Sequence, residues 1–387
     1  MDESNKRKRS WEKVMSNFTD DLWIEIFLRL PFESLLGFKS VSKSWFSIIS
    51  SHRFAQSHLE TAPKDDDSIT VHHELIYCDC EEEDGNFALL DLGSGFISKN
   101  LKFPYSQDWP VTKKAFDIYL WNPATQHSKL IPPYTLPDLR WTCGSLGFGF
   151  DHIDLDFKVV RVVSPSHSAQ VYSTLSAEVY SSNNNNWRKI ESKPIDFPCE
   201  SNFHVLHGFL FAIGHNNSML AFNLNKEVFI CNINLPLSTL DDAKPFDIQT
   251  CVTDFENTIA FIISILNKGK INLWTLDNEA SVCTNGVKAS WTKVLSVDVG
   301  VPLGFVHGLF NNVQFLLSAS DESDVNQFLY NWNNKVTIEV PTGLFLERGQ
   351  FFKYTKSLFS LLGFKRIKCD ASSRRLEDSS DLEGSSD

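Results

Sequence analysis

The sequence predicts an α+β chain of two unequal parts, a small helical module near the N-terminus and a large all-β domain behind it. Two observations support this division. Between residues 18 and 60, apolar side chains recur with the spacing of helices. From about residue 66 that spacing disappears, and short apolar or alternating runs are separated by breaks rich in Asn, Gly, Pro and Ser.

The first predicted helix begins after Thr19, a candidate N-cap, and is apolar around most of its circumference. Asp21, Glu25 and Arg29 recur every four residues and form its polar stripe. A surface helix normally has one apolar face of limited width. This helix therefore requires cover on two sides, which a segment of about forty residues cannot supply from its own core. Either a partner protein supplies the second cover, or the helices dock on the rest of the chain.

Two further helices are predicted from the residues that follow. Pro31 ends the first helix, because proline is not tolerated inside one. Ser34 is a candidate cap for the second helix. The third helix has an apolar face made of Trp45, Ile48 and Ile49. The module is thus predicted to contain three helices between residues 16 and 62.

A weak repeat organises the predicted β domain, which spans residues 66–368. In each copy a strand that ends in an aromatic residue leads into a polar turn and then into a second strand, which often opens with Trp or a charged residue. The copies start at Trp121, Tyr180, Phe222, Trp274 and Tyr330, with a fainter sixth copy from Tyr77 to Phe87. Propeller blades need about 40–50 residues each, and a closed ring leaves no exposed sheet edges. The sequence therefore predicts an irregular six-bladed β-propeller, with a β-sandwich carrying insertions as the alternative.

Composition narrows the class of partner and the compartment. The chain has 36 basic and 48 acidic residues and a formal net charge of −12, which argues against a nucleic-acid partner. No apolar run approaches the ~18 residues of a membrane helix, and the longest, 259–266, fits a buried strand. The N-terminus lacks the apolar segment of a secretory signal. The eight cysteines form no disulfide framework. We therefore expect a cytoplasmic protein without a membrane partner.

Both ends are predicted to be disordered. Residues 1–15 form a basic arm around the run 6–9, which is either a nuclear address or solvated charge. If it is an address, the protein also enters the nucleus. Residues 369–387 form an acidic, Ser-rich tail with little apolar content.

Two motifs resemble a cofactor-binding and a metal-binding pattern, but each lacks a residue that its pattern requires. Gly147-Phe148-Gly149 is a lone G-x-G, interpreted as a turn, because His152 stands where a dinucleotide motif needs its third glycine. The segment 73–77 resembles a metalloprotease helix except that its last residue is Tyr77, which cannot replace the second histidine.

The sharpest metal candidate groups four residues near the start of the β domain. Along a strand, alternation would place His72, Cys78 and Cys80 on one face and His73 on the other. The span is too long for these side chains to converge on one ion without a bend, so no metal site is predicted.

Other polar residues receive structural interpretations. His207 is in phase with the apolar face of a strand predicted over 203–213, and it is interpreted as a hydrogen-bonded core residue. Asp151, Asp154 and Asp156 surround a predicted turn and need no catalytic explanation. No catalytic residue and no cofactor site is predicted.

Residues 17–59 resemble a plant F-box. The matching positions are Asp21, Leu22, Ile26, Arg29, Leu30, Pro31, Ser34, Leu35, Leu36, Phe38, Lys39, Val41, Ser42, Lys43, Trp45, Ile49, Phe54 and His58. Two features depart from the family pattern. Phe18-Thr19 replaces the usual Leu-Pro start, and Gly37 stands where a basic residue is common. Glycine inside a helix costs about 1 kcal/mol relative to alanine, so the second helix is expected to be weak.

The rest of the chain resembles the F-box-associated domain of plant F-box proteins, also described as kelch-like. The most specific match is LWNPATQHSKLIPP at 120–133, followed by 147–163, 178–190 and the strands HGFLFAI and LAFNLNKEVF. The S-locus F-box proteins and their relatives share this arrangement.

This resemblance implies a non-catalytic bridge. The F-box would bind a Skp-type adaptor, and through it a cullin and a ubiquitin-conjugating enzyme. The β domain would hold a target protein through loops on one face. The residues expected to contact the adaptor are Leu22, Ile26, Leu30, Pro31, Leu35, Leu36, Val41 and Trp45. The loops 81–84 and 102–114 are candidate target contacts.

Three alternatives remain open at this point. The target could be a basic pistil ribonuclease, as for S-locus F-box proteins, which the net charge of −12 would suit. The β domain could instead be a propeller-type enzyme or a small-ligand-binding protein. Finally, the F-box could bind its adaptor only to stabilise the protein.

Overall fold

The computed structural model describes residues 18–61, 74–78, 87–91, 97–101, 118–135, 142–165, 176–190, 203–214, 218–236, 244, 247–279, 288–319, 327–340, 350–354, 356–359 and 363–366. The predicted tails, 1–15 and 369–387, lie outside this part of the chain, as do the loops 81–84 and 102–114. The domain limits 16–62 and 66–368 therefore stay predictions.

The N-terminal module contains four helices rather than the three predicted. They are α1 (Asp20–Phe27), α2 (Phe32–Phe38), α3 (Lys43–Ile49) and α4 (His52–Thr61). The fourth helix is separate because Ser51 begins a new turn, with its Oγ accepting a hydrogen bond of 3.2 Å from Phe54 N. Ser42 caps α3 in the same way, accepting from Trp45 N at 3.1 Å. Among the described helices, none is long and apolar enough to cross a membrane.

Two predicted helix boundaries require correction. Helix α1 ends at Phe27, and residues 28–30 form a turn ahead of Pro31. Helix α2 starts directly after Pro31, which holds the N-cap position, so Ser34 lies inside the helix rather than at its start. Thr19 holds the N-cap position of α1 without a side-chain cap hydrogen bond.

The described β residues form six antiparallel sheets. Sheet I contains β1 (Glu74–Cys78), β2 (Phe87–Asp91), β3 (Ile97–Leu101) and β22 (Gln350–Tyr354); sheet II contains β4 (Tyr119–Asn122), β5 (His127–Leu130) and β23 (Lys365–Arg366); sheet III contains β6 (Thr142–Asp151), β7 (Asp156–Pro165), β8 (Ser176–Ser181) and β9 (Asn186–Ile190). Sheet IV contains β10 (His204–Leu206), β11 (Phe209–Ile213), β12 (Ser218–Asn223) and β13 (Val228–Asn234); sheet V contains β14 (Ile248–Phe255), β15 (Thr258–Ile265), β16 (Lys270–Leu276) and β17 (Trp291–Asp298); sheet VI contains β18 (Leu303–Asn311), β19 (Gln314–Ala319), β20 (Gln327–Asn331) and β21 (Val336–Glu339).

Consecutive sheets pack face to face through apolar clusters. Sheets II and III share a cluster, as do III and IV, IV and V, and V and VI. Strand β18 of sheet VI neighbours β22, which pairs with β1 in sheet I. The first strands of the β region and the later strand β22 thus pair in one sheet, and this pairing links the end of the series of sheets to its beginning. This propeller-like order agrees with the predicted fold class, and the number of blades stays a prediction.

The five stronger copies of the repeat coincide with hairpins. In sheets III to VI each falls on the connection from the third to the fourth strand, and in sheet II it falls on β4 and β5. In four of these hairpins, the residue directly before the second strand of the hairpin has a positive φ, as a compact type I turn with an αL residue requires. These residues are Gln126, Asn185, Glu227 and Lys335. The fainter copy from Tyr77 falls on β1 and β2, which are the second and third strands counted from β22.

The apolar run 259–266 is confirmed as a buried strand over residues 259–265, and Leu266 begins the short 3-10 turn that follows. The strand is β15, whose residues face sheet IV and sheet VI in alternation, so both faces of the strand are covered. The sequence of a strand that is covered on both faces is a continuous apolar run rather than an alternation of apolar and polar residues.

Gly147-Phe148-Gly149 lies inside β6 and is not a turn, which corrects the prediction. A Cβ built on Gly147 would lie 2.6 Å from Leu210 Cδ1, and one built on Gly149 would lie 2.6 Å from Leu224 Cδ1. Glycine in a strand often marks a close approach of other atoms. The two glycines therefore allow sheet III to pack tightly against sheet IV.

His207 is not a core residue on a strand, which corrects a second prediction. The segment 203–213 is a hairpin rather than one strand, and His207-Gly208 is its turn, with φ of 49° and 77°. The His207 side chain is exposed, and its Nδ1 lies 3.0 Å from Glu279 Oε1 in sheet V's β16–β17 connection. Nearby, His204 Nε2 lies 3.2 Å from Asp254 Oδ1. Both histidines therefore link sheet IV to sheet V.

We expect His307 to make the fold sensitive to acid. It lies on β18 with Nε2 at 2.7 Å from Ser318 Oγ, and burial lowers its pKa from 6.5 to about 4. As pH falls from 6.5 towards 4, the unfolded chain binds the proton first, so folding stability decreases across that interval. Between pH 7 and pH 5 the loss is about 2 kcal/mol.

Chemical denaturation of wild type and His307→Phe at these two pH values checks this expectation. The variant should show a smaller decrease in its free energy of unfolding. His152→Gln, which changes an exposed histidine, should behave as wild type. An equal decrease in wild type and His307→Phe would show that His307 does not cause the acid sensitivity.

Candidate functional site

The helical module has a compact core of its own. Phe27, Leu35, Ile49 and Phe54 are buried in it. Its aromatic rings are in contact, with the ring centroid of Trp45 lying 5.1 Å from that of Phe27. The inward face of α1 is therefore occupied by the module itself.

The outward face of α1 keeps an exposed apolar stripe. Leu22 and Ile26 lie one turn apart and are 49% and 38% exposed, and Phe18, four residues before Leu22, is 39% exposed. Beside them Arg29 and Glu25 form an exposed ion pair of 3.2 Å, which contributes little to stability. We call Phe18, Leu22 and Ile26 the apolar stripe. Large apolar side chains grouped on one exposed helix face are typical of a protein-interaction site.

The residues predicted to contact an adaptor fall into three groups. Leu22, Ile26, Pro31 and Val41 are exposed. Leu30, Leu36 and Trp45 are half-buried. Leu35 is fully buried, so in this conformation it supports the module's core and does not reach the surface. Helical spacing alone could not separate a buried leucine from an exposed one in a helix that is apolar on most sides.

Two exposed aromatic residues were not among the predicted contacts. Phe18 precedes α1 in phase with Leu22 and Ile26, and this spacing was a signal in the sequence. Phe46 lies on α3, away from the face formed by Trp45, Ile48 and Ile49, and is exposed. Burial also lowers the pKa of Lys39 at the end of α2.

The module also docks on the β domain. Its core continues into the buried residues Leu358 and Phe359, which follow β22, and into Ala124, Phe150 and Phe157 of sheets II and III. The alternative that the helices dock on the rest of the chain is therefore confirmed for the inner side of the module, and cover of the first helix by a partner stays a prediction. The chain covers the inner side of the module, and the apolar stripe remains exposed.

We expect Gly37→Ala to stabilise the module by about 1 kcal/mol, because glycine has the lower helix propensity. Gly37 is exposed inside α2, and a Cβ built on it would meet no atom within 4 Å. Gly269→Ala is the matched control of opposite sign, because Gly269 has φ of 62° and its Cβ would clash with the Val301 carbonyl. Thermal unfolding followed by far-UV circular dichroism measures both. A Gly37→Ala module that melts earlier than wild type would refute the expectation.

The β domain buries a group of charges between sheets III and IV. Lys158 Nζ lies 2.8 Å from Asp151 Oδ2 and 3.0 Å from Glu227 Oε1, and it donates to Leu224 O at 2.7 Å. Arg188 also contacts Glu227. The predicted turn around Asp151 is confirmed, since its Oδ1 accepts from Ile153 N at 3.0 Å in the β6–β7 connection. These charges compensate one another, as buried charges must.

The pKa values in this group reflect the pairing. Burial alone would raise the pKa of Asp151, but hydrogen bonds from Lys158, Ile153 and Asn225 lower it below its usual value. Burial alone would lower the pKa of Lys158, but its bonds with Asp151 and Glu227 raise it. Both groups are therefore held in their charged forms and are poor proton donors or acceptors for catalysis.

Sheet III contains two more buried polar arrangements. Arg161 Nη1 lies 2.9 Å from Glu178 Oε1, and Glu178 Oε2 accepts from the backbone and hydroxyl of Thr135. Asp156 accepts from Ser181 Oγ at 2.6 Å. Burial, together with the nearby negative charge of Asp156, raises the pKa of Tyr180 to about 12. These hydrogen bonds join Asp156 of β7 to Ser181 of β8, and Glu178 of β8 to Thr135.

The four metal candidates lie largely outside the part of the chain that the structure describes. His72, His73 and Cys80 lie outside the described residues, and only the backbone of Cys78, the last residue of β1, is described. Within the described ranges, no group of three or more His, Cys, Asp or Glu side chains is arranged to hold a metal ion.

Two family patterns match this chain. The F-box domain matches residues 15–57, and the F-box associated beta propeller domain matches residues 38–298. The first match covers α1 to α3 and six of the ten residues of α4. The second begins in α2 and extends through sheet V, so together they include most of the chain.

Similar proteins occur in Arabidopsis thaliana. The F-box protein At3g17480 is 22% identical over 342 residues, which is 80% of this chain and 85% of that protein. The F-box protein CPR1 is 24% identical over 324 residues, 73% of each chain. At3g10430 is 28% identical over 239 residues, 56% of this chain and 62% of that protein's length.

Two solved structures show a distant likeness. TolB from Acinetobacter baumannii gives a TM-score of 0.43 at 9% identity, covering 77% of this chain and 68% of TolB. An oligogalacturonate lyase in complex with manganese gives a TM-score of 0.39 at 9% identity, covering 69% of this chain and 73% of the lyase. Likeness at this level supports no statement about chemistry.

Proposed function

The chain belongs to the family of proteins with an F-box associated beta propeller domain, and we propose that it is the substrate-recognition subunit of a Skp–cullin–F-box ubiquitin ligase. The helical module would bind a Skp-type adaptor, and through it a cullin. The β domain would bind a target protein. The observation that supports this most strongly is the exposed apolar stripe of α1.

The apolar stripe gives an adaptor a source of binding free energy. Fully burying a Leu or Ile side chain from water is worth about 1.5–3 kcal/mol. Leu22 and Ile26 are only half-covered, while the residues behind them are already packed in a buried cluster. A partner that covers the stripe therefore gains apolar burial without unfolding the module.

The target would bind at the end of the sheets away from the module. The module packs on Ala124, Phe150 and Phe157, which lie in or beside the tight turns of sheets II and III. Successive connections of an antiparallel sheet alternate between its two ends. The connections from the second to the third strand, and those from one sheet to the next, therefore lie at the end opposite the tight turns that contact the module. Residues 266–269 and 299–302 are two such connections, joined by a hydrogen bond of 2.9 Å from Val299 N to Gly269 O.

In this proposal the chain performs no chemistry itself. It would hold the target near the conjugating enzyme, and proximity would promote ubiquitin transfer. The buried charges of sheets III and IV agree with this role, because their partners hold them in fixed protonation states.

Size-exclusion chromatography with purified components tests the proposal. The full chain should elute with a plant Skp-type adaptor, and it should elute with a cullin only when the adaptor is present. A folded chain that stays separate from the adaptor would overturn the proposal. The enzyme alternative would then be examined by metal analysis of the same purified chain.

A further inference from the structure

A short segment after β22 lies between the helical module and the β domain. It comprises residues 356–359 and is called the 356–359 segment below. Leu358 and Phe359 are buried there, although the segment has neither helix nor strand structure. Because β22 pairs with β1 in sheet I, the segment is anchored to the β domain at its start.

On the module side, the segment completes the helical core. Leu358 and Phe359 belong to the cluster that contains Phe27 and Leu35. The ring of His52 at the start of α4 stands edge-on to Phe359, with centroids 5.7 Å apart. Lys356 Nζ lies 2.9 Å from Glu33 Oε1 of α2, but the Glu33 side chain is exposed, so this pair contributes little stability.

On the β-domain side, Phe359 packs on two aromatic residues of sheet III. Its ring centroid lies 5.2 Å from that of Phe150 and 5.1 Å from that of Phe157. Aromatic pairs at such distances and tilts contribute about 0.5–1.5 kcal/mol each beyond burial. One side chain thus contacts both parts of the protein.

Asn122 at the end of β4 holds the backbone of the segment. Its Nδ2 donates to Ser357 O at 2.8 Å and to Phe359 O at 3.0 Å. Its Oδ1 accepts from Ala124 N at 3.1 Å and from Tyr354 Oη at 3.2 Å. Only an amide supplies two donors and an acceptor at one terminus, so aspartate cannot replace it. Asn122 lies in LWNPATQHSKLIPP, and no local pattern in that stretch predicts its role.

We propose that the 356–359 segment, held by Asn122, fixes the orientation of the helical module on the β domain. Modules joined by a linker move relative to each other unless a substantial apolar interface holds them. Phe359 and Asn122 are positioning residues here, because they act through the geometry between the two parts. The functional meaning rests on the proposed function: a fixed orientation would present the target at a set distance from the adaptor.

Pulsed electron paramagnetic resonance on the full chain tests this inference. Spin-labelled noncanonical amino acids replace Arg53 on α4 and Lys189 on β9, both exposed, so the native cysteines stay unchanged. The distance distribution is compared among wild type, Phe359→Ala, Asn122→Asp and Phe305→Ala. Phe305 lies on β18, is exposed and contacts His307, and it serves as the matched control.

Wild type and Phe305→Ala should give one narrow distribution. Phe359→Ala and Asn122→Asp should broaden it to about twice the width or more, as expected for parts that move independently. Should Phe359→Ala not fold, Phe359→Leu replaces it, because it keeps apolar volume and removes the ring contacts. Equal widths in wild type and in the folded variants would overturn the inference.

Adaptor binding separates this inference from the proposed function. The apolar stripe does not belong to the 356–359 segment, so Phe359→Ala and Asn122→Asp should bind a Skp-type adaptor as wild type does. A wild-type chain that binds no adaptor would refute the proposed function and leave the distance result standing. Broadened distances with adaptor affinity retained support both.

Discussion

Replacing Lys158 with Met lowers the free energy of unfolding by about 3–5 kcal/mol, because it leaves buried carboxylates without their cation. Lys158 pairs with Asp151 and Glu227, and all three side chains are almost completely buried. Met has a similar length and fills much of the volume, so loss of packing is small. Arg188 can still neutralise Glu227, but Asp151 loses its charged partner. Denaturant unfolding at pH 7 measures the effect.

Lys189→Met is the matched control for this prediction. Lys189 lies on β9, is exposed, and should be replaceable at a cost within about 0.5 kcal/mol. Equal unfolding midpoints for the two variants would show that the buried ion group does not stabilise the contact between sheets III and IV.

The double variant Leu22→Glu/Ile26→Glu should weaken binding of a Skp-type adaptor by about 100-fold or more, since truncating or charging central interface residues can cost over 2 kcal/mol. The two new carboxylates would have to lose water inside an apolar contact. The folded module should tolerate them, because both positions face solvent on α1. The dissociation constant from calorimetric titration measures this effect.

The sequence predicted the division into a helical module and a β domain because each has a local periodicity. The repeat was visible because aromatic residues at Tyr180, Phe222 and Tyr330 recur just before a tight hairpin. Local patterns of this kind depend on residues a few positions apart, and one sequence is enough to show them.

The errors arose where a local pattern had two interpretations. The sequence around His207-Gly208 predicts a continuous strand, although it forms a turn, because both strands of that hairpin carry apolar residues in the same alternation. The pattern Gly147-Phe148-Gly149 predicts a turn, although its glycines are required by the close approach of Leu210 and Leu224. Those leucines lie in another sheet, and the sequence does not show which sheets are neighbours.

The docking of the module could not be predicted for the same reason. Asn122 and Phe359 are 237 positions apart, yet they are joined by a hydrogen bond. Leu35 illustrates the limit within the module, since an apolar helix does not reveal which of its leucines remain exposed. Such contacts depend on the tertiary arrangement rather than on local spacing.

The most direct test of the central claim is titration of a purified plant Skp-type adaptor into three full-length proteins. These are wild type, Leu22→Glu/Ile26→Glu, and Leu130→Glu/Val228→Glu, which places two charges on exposed apolar positions of the β domain. We predict tight binding to wild type and to the β-domain variant, and loss of binding to the α1 variant. Equal binding by all three would show that the apolar stripe is not the adaptor site, and no binding by folded wild type would contradict the ligase function itself.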